Sequence, residues 1–569
     1  MKFVSLHTDY LKVKPLKKAL KSIADLSEIE KKGFEVLGDP LVILTSVEAG
    51  DSEKIVGDFV KGIEDIAKQV NAKNIVLYPY AHLSSNLGSP DMAVKILDGA
   101  EKELKKLKKF EVFRAPFGYY KEFEMKVKGH PLSELSREIK GDGKVVEKEE
   151  EFDYKTALRS LGKNVLDKSK LKDNDHRILG QHMNLFSFSD VAPGMAFWHN
   201  NGLIIYNEMI RYLREELRME GYQEIRTPEI LDKKLWQISG HWGKYRENIF
   251  LTGYEKRNFA AKPMNCPGGL IVFREGPKSY RDLPSRVAEF GVVHRQELSG
   301  VLSGLFRVIE FTQDDAHIFC EENQIEAEVK KIIDFMKKVY DKFGFSYHIE
   351  LSTRPKKRVG DDKMWDKAEK ALENVLKKNK INFKLNPGNG AFYGPKIDFH
   401  LKDSLERTWQ CGTVQVDFSM PERFNIEYKD KDNSMKRPVM IHRAILGSLE
   451  RFIGILLEHT NGRLPTWLAP VQVRMINFTD KQEKYAKKVV EKMKKEFPFL
   501  RIEEDYRSES VQHTVKEAEI MRVPFILVVG DKEEKAGEVA VRERGNSKIK
   551  YVKLEKFVQT LKNEIEARK

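Results

Sequence analysis

The side chains able to bind a transition metal or act as strong nucleophiles are few. The chain has three cysteines, Cys266, Cys320 and Cys411, and 14 histidines. Cys266, His317 and His442 are so widely separated that spacing alone nominates none of them. A lone histidine in DDAHIFC is as readily a satisfied core residue. There is no HExxH and no His-x-x-x-His pair, which excludes a zinc site built on one helix. The Gly390–Lys396 segment, GAFYGPK, is glycine-rich but fits neither the P-loop nor the dinucleotide fingerprint. By itself it reads as a turn, as does GDG at 141–143. An odd number of widely spaced cysteines does not make a secreted disulfide framework. The N-terminus, MKFVSLHTDYLKVKP, has neither an h-region nor a small-residue cleavage site. The expected compartment is the reducing cytoplasm.

The chain has 569 residues, and at about 150 per domain it should hold roughly four domains. Its formal net charge of +13 favours a polyanionic partner. A 41% hydrophobic and 33% charged composition is that of a globular protein and excludes wholesale disorder. The longest apolar runs, such as Phe525–Val529, fall far below the ~20 residues that span a membrane, so no membrane partner is expected.

Elements must bring the candidate residues together. Residues 1–142 alternate short β-rich runs (KFVSLH, LVILTSV, NIVLYPY) with amphipathic stretches at Asp51–Val70 and Met92–Lys109. That pattern predicts a compact α/β domain. Residues 143–185 read as a charged linker with a short helix around Tyr154–Leu161. Residues 186–467 carry a helix over Leu203–Glu220, then the strand-like runs QEIRTPEI, VAEFGVVHR, LFRVIEFTQDDAHIF, KIDFHL and RTWQCGTVQVDF. A long helix, Arg443–His459, closes the block. Hairpin-scale connections predict an antiparallel sheet. Residues 468–569 alternate strand and helix as a small α/β domain.

Three long segments of the central block match one pattern. GYQEIRTPEIL resembles the first signature of class II aminoacyl-tRNA synthetases, with Pro228 at a dimer-forming turn. VVHRQELSG with LFRVIEFTQDDAHIF resembles the second, and IHRAILGSLERFIGILLE the third. SGHWGKY, KPMNCPG, AFYGPKIDF and WQCGTVQVDF narrow the resemblance to threonyl-tRNA synthetases. YPYAHLSSNL, APFGYYKEF and GHPLSELSR in the first 140 residues resemble the editing domain of the archaeal branch of that family, similar in fold to D-aminoacyl-tRNA deacylases. The implied fold class is multidomain α/β and α+β. It combines an antiparallel class II core, a deacylase-like editing domain and a C-terminal anticodon-binding domain, in a homodimer.

The resemblance implies roles. Charge builds on phosphate oxygens when the threonine carboxylate attacks ATP, and fixed guanidinium groups stabilise it. Arg295 would grip the α-phosphate and the carboxylate. Arg307 and Arg451 would hold the γ-phosphate of a bent, magnesium-bound ATP, and Glu297 would accept from the adenine amino group. Gln410 would lie by the ribose and Lys396 by the reacting carboxylate. His241 would be a proton acceptor near the terminal adenosine of tRNA(Thr). Threonine and valine are nearly isosteric, and an apolar pocket separates such a pair weakly. One zinc per subunit, held by Cys266, His317 and His442, would leave positions open for the amino group and hydroxyl of L-threonine. Asp315 would accept from that hydroxyl, with Gln313 and Tyr393 at the amino end. Cys320 and Cys411 have no such role and read as buried hydrophobes. The family's MNCPGH stands here as MNCPGG, with Gly269 in place of the histidine.

His82, Tyr120, Lys121 and Glu134 match the editing pocket, where they would position water at a seryl ester. The alternative is a D-aminoacyl-tRNA deacylase fused to the chain. Glu533 and Arg542 match positions that read anticodon bases; outside the resemblance they are a solvated charged face. Two rivals remain for the whole chain: a non-catalytic tRNA-binding paralogue, and a synthetase for serine or proline. The intact Arg295, Glu297, Arg451 and three zinc positions weigh against the first, and the Cys–His–His set with the TQDDAHIF string weighs against the second.

Overall fold

The computed structural model describes residues 1–139 and 171–568, apart from 21, 85, 256, 277 and 547, and also 158 and 167–169. Most of the expected linker, its helix around 154–161 and the GDG turn lie outside the described residues. The chain divides into two compact units, Met1–Tyr154 and Lys155–Lys569.

Among the described residues, the first unit is a seven-stranded sheet with two α-helices. Its strands are β1 (Lys2–Lys18), β2 (Phe34–Leu37), β3 (Leu41–Ser46), β4 (Asn74–Pro79), β5 (Glu111–Arg114), β6 (Tyr119–Val127) and β7 (Glu134–Glu138). β3, β4 and β5 run parallel, and β1 is antiparallel to β3. The strands alternate in the period-two manner of a sheet covered on both faces. Leu41, Ile43, Ile75 and Leu77 pack with Phe59 and Ile63 of α1 (Val56–Val70) and Ile96 and Leu104 of α2 (Pro90–Lys106). Val42, Val76 and Tyr78 pack on the opposite face with Leu11, Val13 and Val36. β1 is longer than the run KFVSLH: its first half pairs with β3 and β7, its second with β2 and β6.

In the second unit, α3 (Asn200–Met219) precedes an eight-stranded sheet. Its strands in chain order are β8 (Gln223–Glu224), β9 (Ser285–His294), β10 (Glu310–Cys320), β11 (Ser346–Ser352), β12 (Lys384–Asn386), β13 (Lys396–Lys402), β14 (Thr408–Asp417) and β15 (Val439–Ala444). In space the order is β8-β9-β10-β15-β14-β13-β11-β12. The pairings are antiparallel except at the two edges, β8 with β9 and β12 with β11. The expected antiparallel core is therefore present. Helices α4 (Cys266–Arg274), α5 (Ile325–Lys342), α6 (Asp362–Lys378) and α7 (Leu449–Thr460) surround it. The core lies between this sheet and α5, α6 and α7, around Ile333, Met336, Leu372, Phe399, Ile441 and Phe452.

Two expectations are corrected. QEIRTPEI is not one strand: β8 stops at Glu224 and pairing resumes at Ile230. Pro228 lacks a backbone donor and disfavours regular pairing around it. The Thr227 N–H and hydroxyl instead donate to buried Glu289 at 2.9 and 2.8 Å, and Lys262 pairs with the same carboxylate at 2.8 Å. The closing helix does not begin at Arg443, which lies on β15. Gly447 takes φ +82, and the Ser448 hydroxyl accepts from the Arg451 N–H at 3.1 Å, so α7 starts at Leu449.

The last hundred residues form a five-stranded sheet of β16 (Val473–Asn477), β17 (Ile502–Asp505), β18 (Phe525–Val529), β19 (Glu538–Glu543) and β20 (Lys550–Lys553). The helices are α8 (Glu483–Glu496), α9 (Val511–Ile520), the short α10 (Asp531–Ala536) and α11 (Leu554–Glu566). β16, β17 and β18 are parallel, and β19 and β20 are antiparallel. Among the described residues no helix is long and apolar enough to cross a membrane.

Candidate active site

One face of the antiparallel sheet floors a cavity of about 550 Å³. Strand alternation selects what reaches it. Along β10, Gln313 and Asp315 line the cavity, with His317 next in the same alternation. Asp314 faces the other way, where its carboxylate accepts from the backbone N–H of Ile445, Leu446 and Gly447 at 2.7, 3.0 and 3.1 Å. Those bonds fix the turn leading into α7. The adjacent residues Glu450 and Arg451 divide similarly. Buried Glu450 accepts from the Thr312 N–H at 2.9 Å, while Arg451 lines the cavity.

Register supplies the rest. His317 stands opposite His442, His442 opposite Gln415, and Gln415 opposite Lys396, a row across four adjacent strands. Tyr393 donates its hydroxyl to Gln415 Oε1 at 2.6 Å. Its loop lies close against the sheet, and a Cβ on Gly394 would sit 2.1 Å from the Val416 carbonyl oxygen. The glycines of GAFYGPK thus permit close backbone approach and do not form a phosphate cradle. Asp398, which sequence reasoning missed, accepts from Gln410 at 2.8 Å and Ser352 at 2.8 Å, and pairs with Lys396 at 2.9 Å. It orients both candidate substrate contacts.

Arg295, Arg307 and Arg451 bring three guanidinium groups to one cavity. Arg295 Nε donates to the Pro263 carbonyl at 3.0 Å, and its guanidinium lies 5.0 Å from the Phe311 ring. Arg451 Nε donates to the Phe306 carbonyl at 2.8 Å. Arg307 pairs with Glu297 at 2.8 Å, so these two residues engage each other. His241 is the outlier. It is fully buried, its Nε2 is 2.9 Å from Met264 Sδ, and Met264 and Phe392 line the cavity in its place. Burial pushes its pKa down to about 3.

Cys266, His317 and His442 are all buried, and a ligand atom from each lies within 4.8 Å of the others. Cys266 is the first residue of α4, and the histidine rings lie edge to face at 5.0 Å. His317 Nε2 is buried without a hydrogen-bond partner, as expected of a nitrogen reserved for a cation. Burial pushes the Cys266 thiol up and the His317 imidazole down, so the histidine is neutral and the thiolate needs a cation beside it. His442 Nε2 lies 3.0 Å from Asp417 Oδ2. Burial raises the Asp315 carboxyl to about 6, and Asn265 donates to it at 3.2 Å. A Cβ on Gly269 would sit 3.3 Å from His317 Nδ1, so this glycine leaves room beside a ligand. Cys320 and Cys411 are buried, and Cys411 forms part of the cavity wall.

Three family models match: "Archaea-specific editing domain of threonyl-tRNA synthetase" over residues 1–139, "tRNA synthetase class II core domain (G, H, P, S and T)" over 250–460, and "Anticodon binding domain" over 471–564. A threonine–tRNA ligase of Polaromonas sp. is 42% identical over 95% of this chain and 81% of its own length. The chain belongs to the threonine–tRNA ligase family. A Delftia acidovorans threonine–tRNA ligase is 51% identical over 69% of this chain, which spans 62% of that relative's length. Among solved structures, the "RNA binding domain of Threonyl-tRNA synthetase from Cryptosporidium parvum Iowa II" is 41% identical with a TM-score of 0.67. It covers 68% of this chain and 98% of its own.

The unit matched by this family's editing-domain model holds the remaining N-terminal candidates. Lys121 Nζ donates to the carbonyls of Pro116 and Tyr119 at 2.9 and 3.1 Å and lies 5.1 Å from the Tyr78 ring. Burial lowers its pKa to about 8. Tyr78 meets Tyr80, and Tyr80 meets His82, at ring distances of 6.2 and 5.5 Å. Tyr120 is 64% exposed. Glu134 pairs with Leu6 of β1, while Lys121 pairs with Pro15, so strand pairing does not bring these two together.

In the segment matched by the anticodon-binding model, Arg542 lines a cavity of about 290 Å³ together with Arg463, Arg522 and Arg544. Burial holds Arg544 near a pKa of about 10. Glu533 lies outside that cavity's lining, and its carboxylate accepts from the Gly530 N–H at 2.8 Å, closing the first turn of α10.

Proposed function

We propose that the chain attaches L-threonine to tRNA(Thr) through a threonyl-adenylate formed from ATP, and that it hydrolyses mischarged seryl-tRNA(Thr). The observation that carries this reading is the Cys266–His317–His442 set beside a cavity containing Arg295, Arg307, Arg451 and Lys396.

In this reading Arg295 grips the α-phosphate and the threonine carboxylate, and Lys396, held by Asp398, stays beside that carboxylate as charge moves onto phosphate oxygen. Arg307 and Arg451 take the γ-phosphate of magnesium-bound ATP. Arg307 reaches it by giving up part of its pairing with Glu297, whose carboxylate then accepts from the adenine amino group. Gln410 orients the ribose. Cys266, His317 and His442 would hold zinc, whose Lewis acidity lets it take both the amino group and the hydroxyl of threonine, which valine cannot offer. Asp315 accepts from that hydroxyl, and Gln313 and Tyr393 orient the amino end. His241 is the proton acceptor of the transfer step once Met264 or Phe392 moves aside.

Residues 1–142 serve as the editing domain, with His82, Tyr120, Lys121 and Glu134 around the ester. Residues 143–185 are a linker, 186–467 the catalytic domain and 468–569 the anticodon-binding domain, with Glu533 and Arg542 contacting bases. The active species is a cytoplasmic homodimer joined near Pro228, with one such zinc per subunit. ATP–pyrophosphate exchange measured with each of the twenty amino acids tests the reading. Threonine should support strong exchange, serine weak exchange and valine none. Equal exchange with valine would overturn it.

A further inference from the structure

A second cluster of metal-binding side chains lies outside the active-site cavity. His348 and Glu350 alternate on one face of β11, two residues apart, and His400 stands directly opposite His348 on β13. The two imidazoles are nearly parallel, 4.9 Å between centroids and 9° between planes. Both direct Nε2 at the same carboxylate. His348 Nε2 is 3.3 Å from Glu350 Oε1, and His400 Nε2 is 3.5 Å from Glu350 Oε2.

These separations are long for charge-assisted hydrogen bonds, which run at about 2.7–2.9 Å. One ligand atom from each of the three residues lies within 4.8 Å of the others, a spacing that a single ion can share. With bonds of about 2.0–2.1 Å in tetrahedral geometry, neighbouring ligand atoms stand about 3.3 Å apart. His400 Nε2 is buried and has no hydrogen-bond partner, an unsatisfied acceptor or donor that native interiors seldom leave unexplained. The carboxylate is oriented from behind, since Asn386 Nδ2 donates to Glu350 Oε2 at 2.8 Å. Such outer contacts are what fix a ligand's direction at metal centres.

We propose that His348, Glu350 and His400 form a second metal site for a divalent transition ion of the zinc class. The two-imidazole, one-carboxylate donor set suits zinc or a similar borderline ion and offers little to magnesium or calcium, which take oxygen ligands. The His348 side chain is 38% exposed and the other two are 19% exposed. Solvent therefore reaches the cluster, and a water can complete the coordination. The site should exchange its ion faster than the buried Cys266 set.

The test is metal stoichiometry on the full chain, loaded with Zn²⁺ and freed of excess by gel filtration. The expected result is two equivalents per chain, with one remaining in His348→Ala/His400→Ala and one remaining in Cys266→Ser. The conservative Glu350→Gln, which preserves side-chain volume, should also fall to about one. Replacement by Co²⁺ distinguishes the two sites without any reference to activity. The double histidine variant should retain the thiolate-to-cobalt charge-transfer band, and Cys266→Ser should lose it while keeping weaker ligand-field absorption. A wild-type chain that holds one equivalent, or a double histidine variant that still holds two, would overturn the proposal.

Discussion

The Nε2 atom of His442 lies 3.0 Å from Asp417 Oδ2, and the other oxygen of Asp417 accepts from the backbone N–H groups of Ser419 and Met420 at 2.7 and 3.0 Å. A carboxylate only accepts, so it places the imidazole proton on Nε2 and leaves Nδ1 as the ligand nitrogen. Asp417→Asn can keep the backbone bonds but offers an amide donor to Nε2. The proton then moves to Nδ1. Zinc affinity should fall by about 10–100-fold, and threonine-dependent pyrophosphate exchange should fall with it while circular dichroism is unchanged. Metal content measured after dialysis checks this, and full retention of zinc would refute it. Cys266→Ser should have the larger effect, with activation of threonine lost.

Arg295 is anchored through Nε and by its packing on Phe311. Its charge is therefore aimed before substrate arrives. Arg295→Ala should cut adenylate formation by about 10²–10³-fold, the scale of losing one fixed contact to developing negative charge. Binding of tRNA should change little. Near-normal pyrophosphate exchange would remove Arg295 from the reaction.

Lys121 carries a proton less readily in the fold than in the open chain, with a pKa lowered from 10.5 to about 8 by burial. Between those values the unfolded chain binds more protons, so stability of the first unit should rise with pH from about 8 to 10.5. Lys121→Met should flatten that rise. Hydrolysis of pre-formed seryl-tRNA(Thr) that depends on the ammonium should decline above pH 8, after subtraction of the spontaneous rate. A serine side chain lacks one methyl, worth ~1–3 kcal/mol or roughly 10–200-fold, so a second sieve is needed. Lys121→Met should lengthen the ester's half-life without altering threonine activation. If the variant clears the ester as fast as wild type, this residue has no part in editing.

Removal of the last domain should separate activation from charging, but the cut must respect the core. Trp467 and Leu468 are buried with the central block, and the Trp467 ring lies 5.6 Å from Tyr212. A chain ending at Pro465 loses both. One ending at Pro470 should keep adenylate formation and aminoacylate tRNA(Thr) poorly. Adenylate formation lost without unfolding would assign the tail an unforeseen role in activation.

Much of this was legible in the linear chain because it is local. The alternation in TQDDAHIF already separates Gln313, Asp315 and His317 from Thr312, Asp314 and Ala316, since a strand has period two. The helices α1 and α2 follow from amphipathic spacing within a few residues of their observed ends. The second half of β1 was less legible, because KVKPLKK carries a proline and several lysines. Its buried Leu11 and Val13 show their alternation only against β2 and β6. Sequence motifs supplied Cys266, His317 and His442 as a set, but nothing in their spacing did.

Only tertiary structure decided how residues distant in the chain face one another. Register puts His317 opposite His442, Gln415 opposite Lys396 and His348 opposite His400. A one-residue slip would turn every one of these side chains to the opposite face. That register is chosen by burying the opposite face of the sheet against α5, α6 and α7, a sum over dozens of contacts that no short segment contains. The same holds for Asp398 and Asp417, which become the supports of Lys396 and His442 only when their strands are paired.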